Sequence, residues 1–123
     1  NFPVDLVISK DDKIFITDSF DYEVEVRERD GKFIYSFGKA GDKFGSFQSL
    51  RGIAIDGSER VYVSDTQKGW IQVFSKEGKL LYVWSNKNIS HPNFLFYEKE
   101  KLYIPDLFSK TIFSVKVNLP EVK

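Results

Sequence analysis

The 123-residue chain contains no cysteine, no methionine and a single histidine, His91. Without cysteine there is no thiol nucleophile, no disulfide and no cysteine-ligated zinc or iron–sulfur centre. One histidine cannot build a three-histidine zinc site. Without a Gly-x-Ser-x-Gly elbow, a serine–histidine–aspartate triad has no support either. An excess of one charge is also missing, since 18 Lys+Arg face 18 Asp+Glu. No overall field therefore favours nucleic acid or an anionic membrane. No apolar run reaches the ~18 residues that a transmembrane helix needs. The opening stretch NFPVDLVISKDD lacks the basic start and apolar core of a signal peptide. The missing Met at position 1 sets the expectation that the chain is processed, excised or incompletely represented. Cysteine content does not discriminate the compartment, because Cys-free domains occur in reducing and oxidising ones alike. No catalytic residue, metal ligand or cofactor is expected.

Aromatic residues are abundant: 12 Phe, 6 Tyr and 2 Trp. Such residues favour strands. The length suits one domain. The stretch Leu50 to Trp84 organises the chain. Its four short apolar runs, GIAID, RVYVSD, WIQVFS and KLLYVW, alternate at a period near two and are separated by turn-type clusters. That pattern predicts a four-stranded antiparallel meander. Parity groups Ile53/Ile55, Val61/Val63 and Ile71/Val73 on one face, with Tyr62, Trp70, Phe74, Leu81 and Val83 on the other. Both faces are apolar, as in a sheet sandwiched between two others.

The same order occurs before and after this stretch. Upstream, strands are expected at Val4–Ser9, Ile14–Asp18, Glu23–Arg27 and Phe33–Phe37, then a glycine loop from Gly38 to Ser49. Downstream they are expected at Asn93–Tyr97, Leu102–Asp106 and Ile112–Lys116, with no fourth strand. Asp18 to Asp65, Gly31 to Gly78 and Ile14 to Val61 all span 47 positions, and Asp65 to Asp106 spans 41. Four strands recurring at such a period predict an all-β fold of β-propeller blades, a partial ring of roughly three. The blade repeats are placed at residues 2–49, 50–90 and 91–117, with a tail at 118–123, in one partial propeller over 1–123.

Specific motifs carry a family resemblance. Arg51-Gly52-Ile53-Ala54-Ile55-Asp56, Val61-Tyr62-Val63-Ser64-Asp65-Thr66, Ile71-Gln72-Val73-Phe74 and Gly78-Lys79 follow one another, and Phe37-Gly38 leads into Gly41 and Gly45. This order resembles the NHL repeat of six-bladed β-propellers. Where that repeat usually has Arg before Ile-Gln-Val-Phe, this chain has Glu23, Trp70 and Thr111. The resemblance implies a ring cut short, completed by the remainder of a larger propeller or by a second copy of the chain. It also implies two functional readings. One is a non-enzymatic binding or scaffold module that meets a protein or ligand through its loop face. The alternative is a fragment of a propeller enzyme, of the metal-dependent lyase or lactonase type, whose site lies in the complete ring.

In propeller topology the loops between second and third strands share a face with the blade-to-blade loops. That face is expected to present Phe20, Tyr22, Phe44, Phe47, Trp70 and Phe108 with Lys39, Lys43, Lys68, Lys87 and Lys110. The candidate partner-binding residues are Tyr22, Phe44, Phe47, Arg51, Lys68 and Trp70. Several of these aromatics could instead fold inward to cover the blade tops. Asp18, Asp21, Asp42, Asp65 and Asp106 nearly match the lysines, which disfavours RNA. Asp18, Asp65 and Asp106 end their second strands, and their repetition suits Asx turns better than a single cation site. The glycines at 38, 41 and 45 are no phosphate loop, because a strand follows them. Asn88-Ile89-Ser90 matches a glycosylation acceptor, a triplet common by chance.

Overall fold

Short alternating runs cannot bury themselves singly. Turn residues between them fold each set into an antiparallel sheet. The computed structural model describes residues 2–120. Residue 1, and residues 121–123 of the expected tail, lie outside the described residues. Among the described residues there are eleven strands and no helix, hence no helix long and apolar enough to cross a membrane. The first sheet is β1 (Pro3–Ile8), β2 (Ile14–Asp18), β3 (Glu23–Arg27) and β4 (Phe33–Phe37) in sequence order. The second is β5 (Leu50–Ile55), β6 (Val61–Asp65), β7 (Trp70–Phe74) and β8 (Leu80–Ser85). The third has β9 (Phe96–Glu98), β10 (Lys101–Asp106) and β11 (Thr111–Lys116), with β10 in the middle. Every pairing within these sheets is antiparallel.

The turns repeat with the blades. Asp12, Glu59 and Glu100 take positive φ in the first turn, and Tyr22, Gly69 and Lys110 take it in the second. Gly31 and Gly78 share φ 95 in the third. At Gly78 a second demand is added: a Cβ there would lie 2.7 Å from the Phe37 ring, which packs over the turn from the neighbouring blade. Each first strand also carries one extra residue after its contact with the second-strand aspartate. The register jumps from Pro3↔Asp18 to Asp5↔Thr17 and from Leu50↔Asp65 to Ile53↔Val63. In the third blade it jumps from the Pro92↔Asp106 bridge to Phe96↔Tyr103. That bulge shortens β9 to Phe96–Glu98 where a strand over Asn93–Tyr97 was expected.

One expected face assignment is corrected. Val61 pairs with Phe74, Tyr62 with Val73 and Val63 with Gln72. Ile71 and Val73 therefore share a face with Tyr62, not with Val61 and Val63. Trp70, Phe74 and Val83 lie on the Val61 face. The two faces feed two cores. Phe15, Val24, Val26, Phe47, Ile53, Val61, Val63 and Phe74 pack between the first and second blades. Ala54, Tyr62, Ile71, Val73, Leu102 and Ile104 pack between the second and third. Each fully buried large side chain contributes roughly 1.5–3 kcal/mol.

Hydroxyls at equivalent second-strand positions tie the blades together. Thr17 Oγ1 donates to the Arg51 carbonyl at 2.8 Å, and Ser64 Oγ donates to the Asn93 carbonyl at 2.6 Å. Asp5 accepts the Ile53 N–H at 3.2 Å across the same seam.

Candidate functional site

The repeated aspartates position the loop face. Asp65 accepts N–H bonds from Gln48 at 2.8 Å and Ser49 at 3.0 Å in the glycine loop, and from Lys68 at 3.1 Å in the β6–β7 turn. Asp106 accepts Ser90 at 3.1 Å, His91 at 2.7 Å and Ser109 at 3.0 Å. Asp18 accepts Phe2 at 3.0 Å, Phe20 at 3.0 Å and Asp21 at 3.2 Å. One carboxylate per blade thus fastens the loop entering the blade to the turn leaving its second strand, so both emerge together. Burial pushes the Asp18 and Asp106 carboxyls up, but their N–H donors outweigh it and hold both below the usual carboxylate range.

Gln72 holds the glycine loop down. It is fully buried, accepts the Gly45 N–H at 2.6 Å and donates to the Ser46 carbonyl at 2.8 Å. Phe47 is drawn into the core beneath, with no exposed surface. Phe44, on the other side of Gly45, stays 61% exposed and meets Trp70 edge-on at 5.1 Å between ring centroids. The Lys68 ammonium lies 5.7 Å from the Trp70 ring centroid and 3.4 Å from Asp42. Asp42 also accepts the Gln48 side-chain amide. The Trp70 indole N–H is buried without a hydrogen-bond partner.

Of the six residues singled out in the sequence, the structure brings Phe44, Lys68 and Trp70 together. Phe47 belongs to the core. Tyr22 is half-buried against that core. Arg51 is exposed on β5, away from this cluster's contacts, with its carbonyl taken by Thr17. Phe20 and Phe108 project from the other two second-strand turns, 69% and 71% exposed. His91 stacks on Phe108 at 3.6 Å and 8° between planes. Gln72 escaped the sequence reading as a part of this face, and Asp42 was read there only as a counter-charge to the lysines. A polar residue inside the apolar run WIQVFS is the signal that could have flagged Gln72.

One acidic group lies around the β2–β3 turn. Asp18, Asp21 and Glu25 place ligand-type oxygens within 4.8 Å of one another. Asp18 is taken by the N–H groups above, and Glu25 pairs with Arg27 at 2.8 Å.

A family model described as a 6-bladed beta-propeller, DUF5128, matches residues 3–116. The chain belongs to this family. Its three sheets are blades of that propeller, as the NHL-like motifs implied for fold and blade number. The propeller is similar in structure to hydrazine synthase of Kuenenia stuttgartiensis, with TM-score 0.73 and 12% identity over 93% of this chain and 32% of that one. It is similar to a protein of unknown function from Bacteroides thetaiotaomicron, with TM-score 0.73 and 17% identity over 91% and 34%. It is also similar to virginiamycin B lyase from Staphylococcus aureus, with TM-score 0.65 and 15% identity over 96% and 42%. At these identities the likeness is one of fold. The propeller chain spans between a third and about two-fifths of the length of these structures. No curated protein matches it by sequence.

Proposed function

We propose that this chain is a non-enzymatic binding module, an NHL-type part of a propeller scaffold that takes a protein or ligand partner on its loop face. The observation that carries the reading is the Phe44–Trp70–Lys68 cluster. An exposed ring on the glycine loop, a cation in the β6–β7 turn and the indole that opens β7 stand together, and Asp65 and Gln72 hold that loop down. Exposed aromatics beside a long cationic chain on a preorganised surface suit recognition, because little entropy is lost when a partner settles on them. Balanced charge supports protein over nucleic acid as the partner.

The rival reading, a fragment of a propeller enzyme, draws on the lyase among the fold neighbours. Its metal and most of its ligands would belong to the complete ring. Two measurements separate the readings. Affinity capture with the wild-type chain and with Phe44→Ala and Lys68→Ala should retain a partner that both variants lose. Equal capture by all three would remove the loop-face assignment. Stoichiometric Ca²⁺ or Zn²⁺ at the channel of the intact assembly would favour the enzyme.

A further inference from the structure

Charged residues at the two ends of the blades are matched differently. At the end opposite the loop face, cations meet carboxylates. Lys13 pairs with Glu28 at 3.1 Å, Arg29 with Asp12 at 2.5 Å, and Lys76 with Glu59 at 3.0 Å and Asp11 at 3.8 Å. Around the second blade's part of the loop face that matching fails. The glycine loop, the β6–β7 turn and the β8–β9 connection carry Lys39, Lys43, Lys68 and Lys87, and the one acidic residue in these segments is Asp42. Asp65 lies beneath them, fully buried, with both oxygens on loop and turn N–H groups. Even with Asp65 counted, four lysines stand against two carboxylates. Lys68 meets Asp42 at 3.4 Å, whereas Lys39, Lys43 and Lys87 are exposed and hold no ion pair among the described residues. The second blade is covered on both sides by its neighbours, so this imbalance belongs to the middle of the chain and to neither end.

The lysines surround the aromatic pair. Lys43 precedes Phe44 at the loop tip, where the Ser46 N–H closes back on the Lys43 carbonyl at 2.9 Å. Lys68 lies over the Trp70 ring. Trp70 pairs with Ser85, which brings Lys87, two residues on, to the same end of the sheet. The buried Trp70 indole N–H has no acceptor within the chain, and an oxygen from outside would remove the cost of leaving it unpaired. An apolar side chain can extend the Phe44–Trp70 contact while carboxylates reach the ammonium groups around it. An excess of two charges suits a short acidic segment, whereas a nucleic acid calls for a broader basic stripe. Arginine, whose fork matches phosphate bidentately, is also absent from these segments.

We propose that the partner of this face is an acidic polypeptide segment. One apolar side chain of it seats against Phe44 and Trp70, and flanking Asp or Glu carboxylates pair with Lys43, Lys68 and Lys87. This inference rests on the loop-face reading above and adds the partner's chemistry to it. Asp42 is then a resident competitor for Lys68, and its removal strengthens binding.

Selection of random displayed dodecapeptides on the intact protein tests this, with the Phe44→Ala variant as the counter-selection. The expected peptides carry an aromatic or aliphatic residue between Asp and Glu. Synthetic copies should bind about tenfold more weakly to Lys43→Glu and to Lys87→Glu, and about two- to fivefold more tightly to Asp42→Asn, which keeps an acceptor for Gln48. Their affinity should fall as salt rises from about 0.05 M to about 0.5 M. Peptides that need Phe44 but carry no excess of Asp and Glu would overturn this inference and leave the loop-face reading standing. Peptides indifferent to Phe44→Ala would overturn both. Enrichment of no peptide, or random-sequence RNA held more tightly than the selected peptides at the same salt, would also overturn the acidic partner.

Discussion

Asp65 and Trp70 stand directly opposite each other across the β6–β7 ladder. A cation at position 70 would compete for that carboxylate, and an indole does not. Both Asp65 oxygens are therefore spent on the N–H groups of Gln48, Ser49 and Lys68. The Trp70 ring is left to receive Phe44. Loop anchoring and aromatic presentation thus come from one cross-strand pair.

Removing the anchor should release the loop. Asp65→Ala leaves three N–H groups without their charged acceptor, a cost of about 3 kcal/mol. Urea denaturation followed by far-UV circular dichroism reads the loss. A red-shifted Trp emission in the still-folded variant reads the freed Phe44–Trp70 contact. Stability within about 0.5 kcal/mol of wild type, the range of an ordinary surface change, would contradict the anchoring role.

The Asp56–Arg60–Tyr62 network makes a second, graded test. Asp56 Oδ2 accepts Arg60 Nε–H and the Tyr62 hydroxyl, both at 2.7 Å, and Arg60 reaches on to the Pro120 carbonyl. Burial and the Asp56 carboxylate push the Tyr62 phenol far up, so it stays a donor. Tyr62→Phe removes one bond and leaves Asp56 its arginine, a loss of about 1–2 kcal/mol. Tyr62→Asp sets a second carboxylate beside Asp56 between packed sheets and should cost more than about 4 kcal/mol. Chemical denaturation of the two variants should rank them in that order.

The strands were legible because their ends carry chemistry: Asp-Gly and Glu-Gly turns, the repeated Asp18, Asp65 and Asp106, and alternation at period two. The faces of β7 were not, although the sequence pattern of that strand is clear. Residues 61, 63, 71 and 73 have the same parity, but the turn sets Asp65 opposite Trp70, so even positions of β7 face odd positions of β6. Parity does not cross a hairpin without the register. Similarly, Phe44 and Phe47 look alike in the glycine loop. A hydrogen bond from the Gly45 N–H to Gln72, distant in sequence, decides that one is exposed and the other buried.

Close backbone approach gives a third prediction. A Cβ at Gly52 would lie 2.5 Å from the Asn93 carbonyl oxygen and 2.6 Å from Phe94 Cα, both backbone atoms of the next blade. Neither can yield without parting β5 from the start of the third blade. Gly52→Ala should therefore cost about 2–3 kcal/mol, in the range of overpacking. At Gly57 an added Cβ meets nothing within 4 Å, so Gly57→Ala should leave stability within about 0.5 kcal/mol of wild type. Matched thermal melts of the two variants check the contrast.

Acid should loosen the fold through the blade aspartates. Asp18 and Asp106 have folded-state carboxyls below the ordinary value of 3.8. Their contribution is complete above that value and is lost as pH falls through the depressed one. Asp5 works against them. Burial raises its carboxyl despite the N–H bonds from Ile53 and Leu6. Its folded form is favoured by protonation, so it regains stability as pH falls. Urea midpoints measured from about pH 5 down to about pH 2 should therefore decline in the wild type. They should decline more steeply in Asp5→Asn, which removes the opposing titration but keeps an acceptor for Ile53. In Asp106→Asn the decline should be shallower, because one of the depressed blade aspartates no longer titrates. A reversed order of the two variants would show that burial outweighs the N–H donors at these aspartates.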